Sequence, residues 1–427
     1  MRGAQHMAAT SGRNSGTVKQ ENLEAVKLML YRQGPISRAE IAVQLGLTPA
    51  TITNITADLI ARNFVEEVQN EDASAQPRGT GRKPILIDLK RDCFTVLGVS
   101  LGRDSTRFCL CDMRGKVLAS GIYEVMSDDY SVMLHQLQGI LSLIRQQHED
   151  LWNRLLGIGI STPGVVNSHR GHVKNHILER QSWRGKPLAE EISRFTGFPV
   201  RLENNVKARS TAITLFWPEL LNGETTFALC HVSFGIACPF VLGSRVFEGE
   251  DAAAGEIGKM ILEPDTAQKT SVFAPGSRED AAFALPGSLE ALSSVNAILT
   301  QCRKHIREGE NTMLTSLCPD SETLQLSHVL EAQRSGDQMA CRVMDQAMFY
   351  VGIALANIVD IVNPHLVLLS GPVFTNRQNA DTVEKALMRY AFLPDDDVLH
   401  VLPVDMGEYA GAIGAAASCI EKYFLRS

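Results

Sequence analysis

Ile36-Ser37-Arg38-Ala39-Glu40-Ile41-Ala42-Val43-Gln44-Leu45-Gly46-Leu47-Thr48-Pro49-Ala50-Thr51-Ile52-Thr53-Asn54-Ile55-Thr56-Ala57-Asp58-Leu59-Ile60-Ala61-Arg62 reads as two short amphipathic helices around a tight turn. Ser37 with Glu40 three residues on is a capping box, and the helix it opens buries Ile41, Ala42 and Leu45 before Gly46 ends it. Thr48 caps the second helix, with Pro49 at its first position, where a missing N–H costs nothing. Ile52, Ile55, Leu59 and Ile60 recur at helical spacing as its inner face. The outer face carries Ala50, Thr51, Thr53 and Asn54, short enough to approach base edges in a major groove, Asn toward adenine and Thr or Ala toward a thymine methyl. This is the pattern of a helix-turn-helix, with double-stranded DNA as the first candidate partner and Thr48, Pro49, Ala50, Thr51, Thr53 and Asn54 as candidate contacts. Two helices of an ordinary bundle joined by a Gly turn share the pattern.

The flanks favour DNA. Residues 64–68 read as a strand, 69–76 as a hairpin tip and 84–89 as a returning strand, which together make a wing. Arg78, Gly79, Gly81, Arg82 and Lys83 lie between the strands, where glycines admit close backbone approach and cations suit phosphates or a minor groove. A helix over 21–33, carrying Leu23, Val26, Leu28 and Leu30, joins the same head, and Gly34-Pro35 breaks it from the helix-turn-helix.

Composition excludes several classes. No apolar run is expected to reach membrane-spanning length, and the first residues, 1–18, form a small, polar, unpatterned leader expected to be disordered, without signal-peptide character. The nine cysteines are scattered with no C-x-x-C pair, which suits buried reduced thiols and a cytoplasmic protein. The net charge of −7 is uneven: residues 1–90 hold 11 Lys and Arg against 9 Asp and Glu, so the remainder carries about −9. DNA affinity must then come from local presentation, and a homodimer or homotetramer would supply the second half-site.

The head spans 19–90, and beyond it the chain changes character. Residues 94–101, 106–112 and 116–125 read as three strands, 131–147 as an amphipathic helix and 155–160 as a buried strand. An apolar helix near 343–361 leads into a strand at 366–371, and an Ala/Gly helix, 410–420, closes the chain. Strands alternating with helices make a layered α/β domain over 91–427, with ligands expected where strand ends meet Gly-rich loops.

The order of its motifs resembles the ROK family, which joins sugar kinases and sugar-responsive repressors on an actin-like, two-lobed (ribonuclease H-like) sugar kinase fold. The segments that carry the resemblance are Gly98-Val99-Ser100-Leu101-Gly102-Arg103 for the first phosphate loop, Gly157-Ile158-Gly159-Ile160-Ser161-Thr162-Pro163-Gly164 for the sugar-side loop and Leu202-Glu203-Asn204-Asn205 for the Glu-Asn-Asp segment. Gly255-Glu256-Ile257-Gly258-Lys259, Pro286-Gly287-Ser288-Leu289-Glu290, Leu369-Ser370-Gly371-Pro372 and Gly411-Ala412-Ile413-Gly414-Ala415-Ala416 follow in the family's order.

The departures from that pattern decide between kinase and repressor. The position of the sugar-activating base holds Asn205, and an amide cannot accept a proton at neutral pH. Ser100 replaces an Asp and Arg103 a Gly in the first phosphate loop, and the next loop reads Phe234-Gly235-Ile236-Ala237-Cys238 in place of a glycine run. No enzymatic activity is therefore expected. The family's zinc-binding His and three Cys are matched by Lys259, Ala281, Phe283 and Ser288, so no structural metal is expected, and Phe283 and Leu285 are expected to pack inside instead. His169, His172 and His176 fit a hairpin loop better than a metal site, Trp183 a place at the pocket mouth or in the core, and Asp395-Asp396-Asp397 a solvated turn.

The resemblance implies an effector pocket of Gly164, Asn175, Asn204, Asn205, Glu256, Lys259 and Glu290 for a carbohydrate. Lys259 either selects an anionic effector or pairs internally with Glu256, Glu263 or Glu290. The expectation is a DNA-binding transcriptional regulator without cofactor. A carbohydrate kinase with altered ATP loops and a ligand-free DNA-binding scaffold are the alternatives.

Overall fold

The computed structural model describes residues 15–68, 85–103, 105–124, 127–175, 181–264, 285–393 and 399–426. The wing tip with Arg78, Gly79, Gly81, Arg82 and Lys83, the residues Ala281 and Phe283, His176 and the Asp395 triplet all lie outside them, as does the side chain of Asn175.

In the head, α1 (Ser15–Gln33), α2 (Arg38–Leu45) and α3 (Pro49–Ala61) pack on a three-stranded sheet in the order β1 (Ile36–Ser37), β3 (Leu86–Leu89), β2 (Val65–Val68). The local rules operate as read. Ser37 and Glu40 form the reciprocal capping box, Gly46 closes α2 in the left-handed conformation at φ 62°, and the Thr48 hydroxyl accepts from the Thr51 N–H at the start of α3. Ile41, Ile52, Ile55 and Leu59 meet Val26, Leu30 and Ile87 in one core. The first helix begins at Ser15, six residues before the expected start, so the leader contributes its last four residues to α1.

The body has two lobes. In the first, β4 (Thr95–Leu101), β5 (Thr106–Asp112) and β6 (Val117–Tyr123) are antiparallel, and β7 (Leu155–Thr162) and β10 (Val200–Asn204) add parallel to β4. Helices α4 (Tyr130–Gln147), α5 (Glu149–Trp152) and α6 (Leu188–Thr196), the hairpin β8 (Val165–Asn167) and β9 (His172–Asn175), and α7 (Asn205–Phe216) complete it. The second lobe pairs β11 (Phe227–Val232) with β12 (Ile236–Ala237) and β13 (Phe240–Leu242), and adds β14 (Arg245–Val246). Helices α8 (Leu289–Ser293), α9 (Val295–Arg307), α10 (Leu314–Leu317), α11 (Leu326–Arg334) and α12 (Gln338–Val362) follow. β15 (Leu366–Ser370), α13 (Arg377–Tyr390) and β16 (His400–Pro403) end it. Among the described residues, and with β12 set aside as a short partner of β11 off the main path, both sheets share one order, third-second-first-fourth-fifth strand, with the last two parallel to the first. That repeat is the ribonuclease H-like arrangement doubled, as the resemblance implies.

The chain returns to the first lobe through α14 (Ala410–Ile420), buried along its whole length. It lies so close to the sheet that a Cβ on Gly98 or Gly159 would fall 1.9 Å from a carbonyl oxygen of Ala412 or Ala415. Helix α12 is by length and composition apolar enough to cross a membrane, which corrects the expectation that no apolar run reaches that length; the 343–361 reading caught only part of it. Val343, Met344, Met348, Val351 and Leu355 bury it in the core of the second lobe.

Head and body share a core: Tyr31 and Leu89 pack with Val96, Met113, Ile420 and Phe424, and Phe64 meets the rings of Phe94 and Phe424. Lys27 is buried there, donating to the Phe424 carbonyl at 2.8 Å and lying over its ring. Burial, then the Arg62 charge, lowers its pKa from 10.5 to about 8 against the pull of Glu24 and Asp58. The unfolded chain therefore binds this proton more tightly than the folded one. Stability is expected to rise with pH between about 8 and 10.5 and to lose this contribution below that window. Melting curves of the wild type and Lys27→Met across pH 7.5–10 check it. The wild type should gain on the variant as pH rises, and a constant difference would contradict the assignment.

Candidate functional site

On the head, α3 presents Thr48, Pro49, Ala50, Thr53 and Asn54 exposed and Thr51 half-buried. Thr51 is held by its hydroxyl contact to Thr48 at 2.9 Å, and the Thr53 hydroxyl donates to the Pro49 carbonyl at 2.8 Å. Ala50 and Asn54 make no side-chain hydrogen bond among the described residues and stand outward. The helix is braced from behind, where Arg38 reaches the Thr56 hydroxyl at 2.9 Å and the Glu67 carboxylate at 2.8 Å. The arrangement offers a rigid rod with small polar tips and a positive N-terminal end, suited to a groove edged by phosphates.

The residues expected to hold an effector stand at strand ends. Asn204 and Asn205 stand where β10 passes into α7, and Gly164 turns with φ 102° after β7. The Asn204 side chain is buried, its oxygen accepting from the N–H groups of Val206 and Lys207 at 2.8 and 3.0 Å and its amide donating to the Gly164 carbonyl at 2.8 Å. These bonds hold the Asn204 side chain inward, while the Asn205 side chain has no hydrogen bond among the described residues. The second lobe contributes Glu256, Lys259 and Glu290. Burial and then the neighbouring Glu290 raise the Glu256 carboxyl above its usual range, while Lys207 and Lys259 oppose the shift.

Lys259 forms an ion pair with Glu290. This is the internal pairing among the two readings, so its charge is already balanced before any ligand arrives. Ser288, where the family carries a zinc ligand, is buried and caps α8 through the Ala291 N–H at 3.3 Å. Leu285 is 58% exposed, which corrects the expectation that it packs inside. Tight hydrogen bonding of residues 287–289 to 260–263 already holds this segment without it. Trp183 is fully buried in the first-lobe core, edge-on to Tyr130.

A strap that sequence reasoning missed crosses between the lobes beside the pocket. From the second lobe Glu248 meets Arg201 at 3.4 Å and the Ser168 hydroxyl at 3.2 Å, Asp251 meets Lys174 at 2.6 Å, and the Ala252 carbonyl accepts from Lys207 at 2.8 Å. Arg201 is also paired with buried Glu203 at 3.0 Å. Burial raises the Glu203 carboxyl, and Arg201 pulls it back. The partners are tens of residues apart in the chain, and the only signal was the alternation of Arg201 and Glu203 on one strand face.

The cleft of the phosphate loops is filled differently. The Arg103 guanidinium lies 4.7 Å from the centre of the Phe234 ring, so the two side chains that displaced glycines stack across the lobes.

Comparison with known proteins follows the same division. A model of the ROK family matches residues 96–422 and one of the MarR family matches residues 28–73. The chain is 25% identical over 362 residues to the DNA-binding transcriptional dual regulator NagC of Escherichia coli K12, covering 84% of this chain and 82% of that one. A solved ROK family transcriptional regulator, described as a homolog of the E. coli MLC protein, superimposes with a TM-score of 0.78 at 25% identity, covering 95% of this chain and 97% of that one. A ROK family glucokinase from Streptomyces griseus, solved with glucose and AMPPNP, gives 0.63 at 20% identity over 75% of this chain and 98% of its own, a likeness of fold.

Proposed function

The chain belongs to the ROK family, and on that premise we propose that it is a DNA-binding transcriptional regulator of carbohydrate genes, acting as a repressor, whose body binds a carbohydrate without phosphorylating it. The observation that carries this reading is the pairing of an outward-facing, N-capped α3 with a ROK body in which the position matching the kinase base is an amide, Asn205. Relatives named as repressors support it. The head runs from α1 to Lys90 and the body from 91 to 427; Thr48, Pro49, Ala50, Thr51, Thr53 and Asn54, with the wing cations, contact the operator. Gly164, Asn175, Asn205, Glu256 and Glu290 hold the hydroxyls. A homodimer or homotetramer working in the cytoplasm presents two heads to two half-sites.

The mechanism is linkage. A sugar that favours one lobe arrangement moves the strap and, through the shared head–body core, the heads, so sugar and DNA change each other's affinity by the same factor. Selection of bound fragments from genomic DNA by the full chain, followed by sugar-dependent release, tests this. The absence of any enriched sequence would overturn it, and sugar-dependent ATP consumption by the same preparation would restore the kinase reading.

With Lys259 matched by Glu290, charge selection does not reside in this pair. Lys259→Met is expected to weaken the neutral and phosphorylated forms of one sugar by the same factor, within about threefold, in calorimetric titration. Selective loss of the phosphorylated form would return the anion-selecting role to Lys259.

A further inference from the structure

We propose that the cavity where the head meets both lobes is a second ligand site, separate from the carbohydrate residues, and that it takes a small organic carboxylate with an apolar body. The cavity holds about 240 Å³. Its first wall is one face of α1, where Glu21, Glu24, Ala25, Leu28 and Arg32 recur at three- and four-residue spacing. Val26 and Leu30 of the same helix enter the core of the head, which leaves this face to the cavity. The first lobe supplies Leu215 of α7 and Leu425 of the C-terminal turn, and the second lobe supplies the tip of the β13–β14 hairpin with Arg245 and Val246. That tip is pinned. Leu242 pairs with Arg245 across Gly243 and Ser244, whose φ values of 56° and 64° make the two-residue turn of a tight hairpin. The Gly243 N–H donates to the Thr226 hydroxyl at 3.3 Å and the Ser244 N–H to the Thr225 carbonyl at 2.6 Å, so the backbone that carries Arg245 to the cavity is fixed.

The lining joins an apolar surface to two unmatched cations. Leu215 and Leu425 are buried, and Leu28 and Val246 are half-buried. The carboxylates are already engaged: Glu421 holds Arg426 at 2.5 Å, Glu24 accepts from Gln20 at 3.1 Å and acts on the buried charge of Lys27, and Glu21 has a partner of its own. Arg32 and Arg245 form no ion pair among the described residues. Partial burial lowers the pKa of Arg32, the mark of a guanidinium short of water. A carboxylate brought to these two cations makes charge-assisted hydrogen bonds, while its hydrocarbon part covers the leucines. A sugar would set hydroxyls against the leucines without partners, so the two sites differ in the class they accept. The volume suits a body of roughly ten non-hydrogen atoms, since an apolar cavity of about 150 Å³ already holds benzene. Because the walls belong to the head and to both lobes, an occupant favours the arrangement in which all three are seated, and any ligand that shifts the lobes changes affinity here reciprocally.

The test uses the full chain and reads melting temperature and calorimetric Kd at matched ionic strength. The probe is benzoate, with benzamide for the same shape without the charge and acetate for the charge without the ring. The wild type is expected to show a saturable rise in melting temperature with benzoate, and a Kd about tenfold or more tighter than for either control. Arg245→Gln, at an exposed hairpin tip, should leave the melting temperature without ligand unchanged and weaken benzoate by about tenfold. Ala25→Leu fills the cavity from α1 and should remove benzoate binding, with its own melting curve as the check on folding. No saturable response to benzoate, an equal Kd for benzamide, or a wild-type benzoate Kd in either variant would overturn the site.

Discussion

Arg114→Ala is expected to detach the head from the body and to abolish the effect of sugar on DNA binding. Arg114 sits in the turn after β5 and reaches into the head. It pairs with Asp88 at 2.6 Å, both side chains being 18% exposed, donates to the carbonyls of Tyr31 and Leu30, and lies 5.3 Å from the Tyr31 ring centre. Its removal leaves the Asp88 carboxylate and two carbonyls without their partner in a nearly dry seam, a change of about 3–5 kcal/mol by the cost of breaking one side of a buried pair. Tyr31 and Leu89 would lose their lid, and the single cooperative melt should split into two transitions. The α3 surface is remote from this seam, so DNA affinity without sugar should change far less than its sugar response. Asp88→Asn, which keeps a hydrogen-bond acceptor, should give a milder form of the same loss. A variant whose operator release still follows sugar concentration would show that coupling runs elsewhere.

Ala50→Glu on α3 is expected to lower operator affinity by about 100-fold or more while leaving the fold as stable as before. Ala50 is exposed and lies in the first turn of the helix, where a carboxylate is favoured by the helix dipole. The same carboxylate would face phosphates and base acceptors, repelled in the groove and stripped of water without a donor. Asn54→Ala, which removes one base-reading amide, should cost about 1–3 kcal/mol and relax preference at a single base pair. Gel-shift titration against the selected operator, with melting curves in parallel, separates the two terms. Undiminished binding by Ala50→Glu would move the DNA interface off α3.

The local chemistry was the legible part of the chain. The capping box at Ser37 and Glu40, the Thr48-Pro49 helix start and the left-handed Gly46 depend on contacts within one turn, so a few adjacent residues specify them. The closing helix at 410–420 was found to the residue because its small side chains admit the close approach to Gly98 and Gly159. The first helix was started too late because residues 15–20 carry no apolar period to mark it. In the pocket, residue types were readable and their partners were not. Asn204 turned inward as a helix cap, and Lys259 found Glu290 across 31 positions of chain.

The sequence by itself thus determined the head's helix pair and the family of the body. Each follows from residue identity at one place and from short-range backbone rules. Tertiary structure alone decided that head and body share a core, that residues 248–252 strap the lobes together, and that Arg209 reaches the first turn of α14. A charged side chain's partner is chosen by burial, because only where water is excluded does one ion pair outweigh the many alternatives that solvent offers.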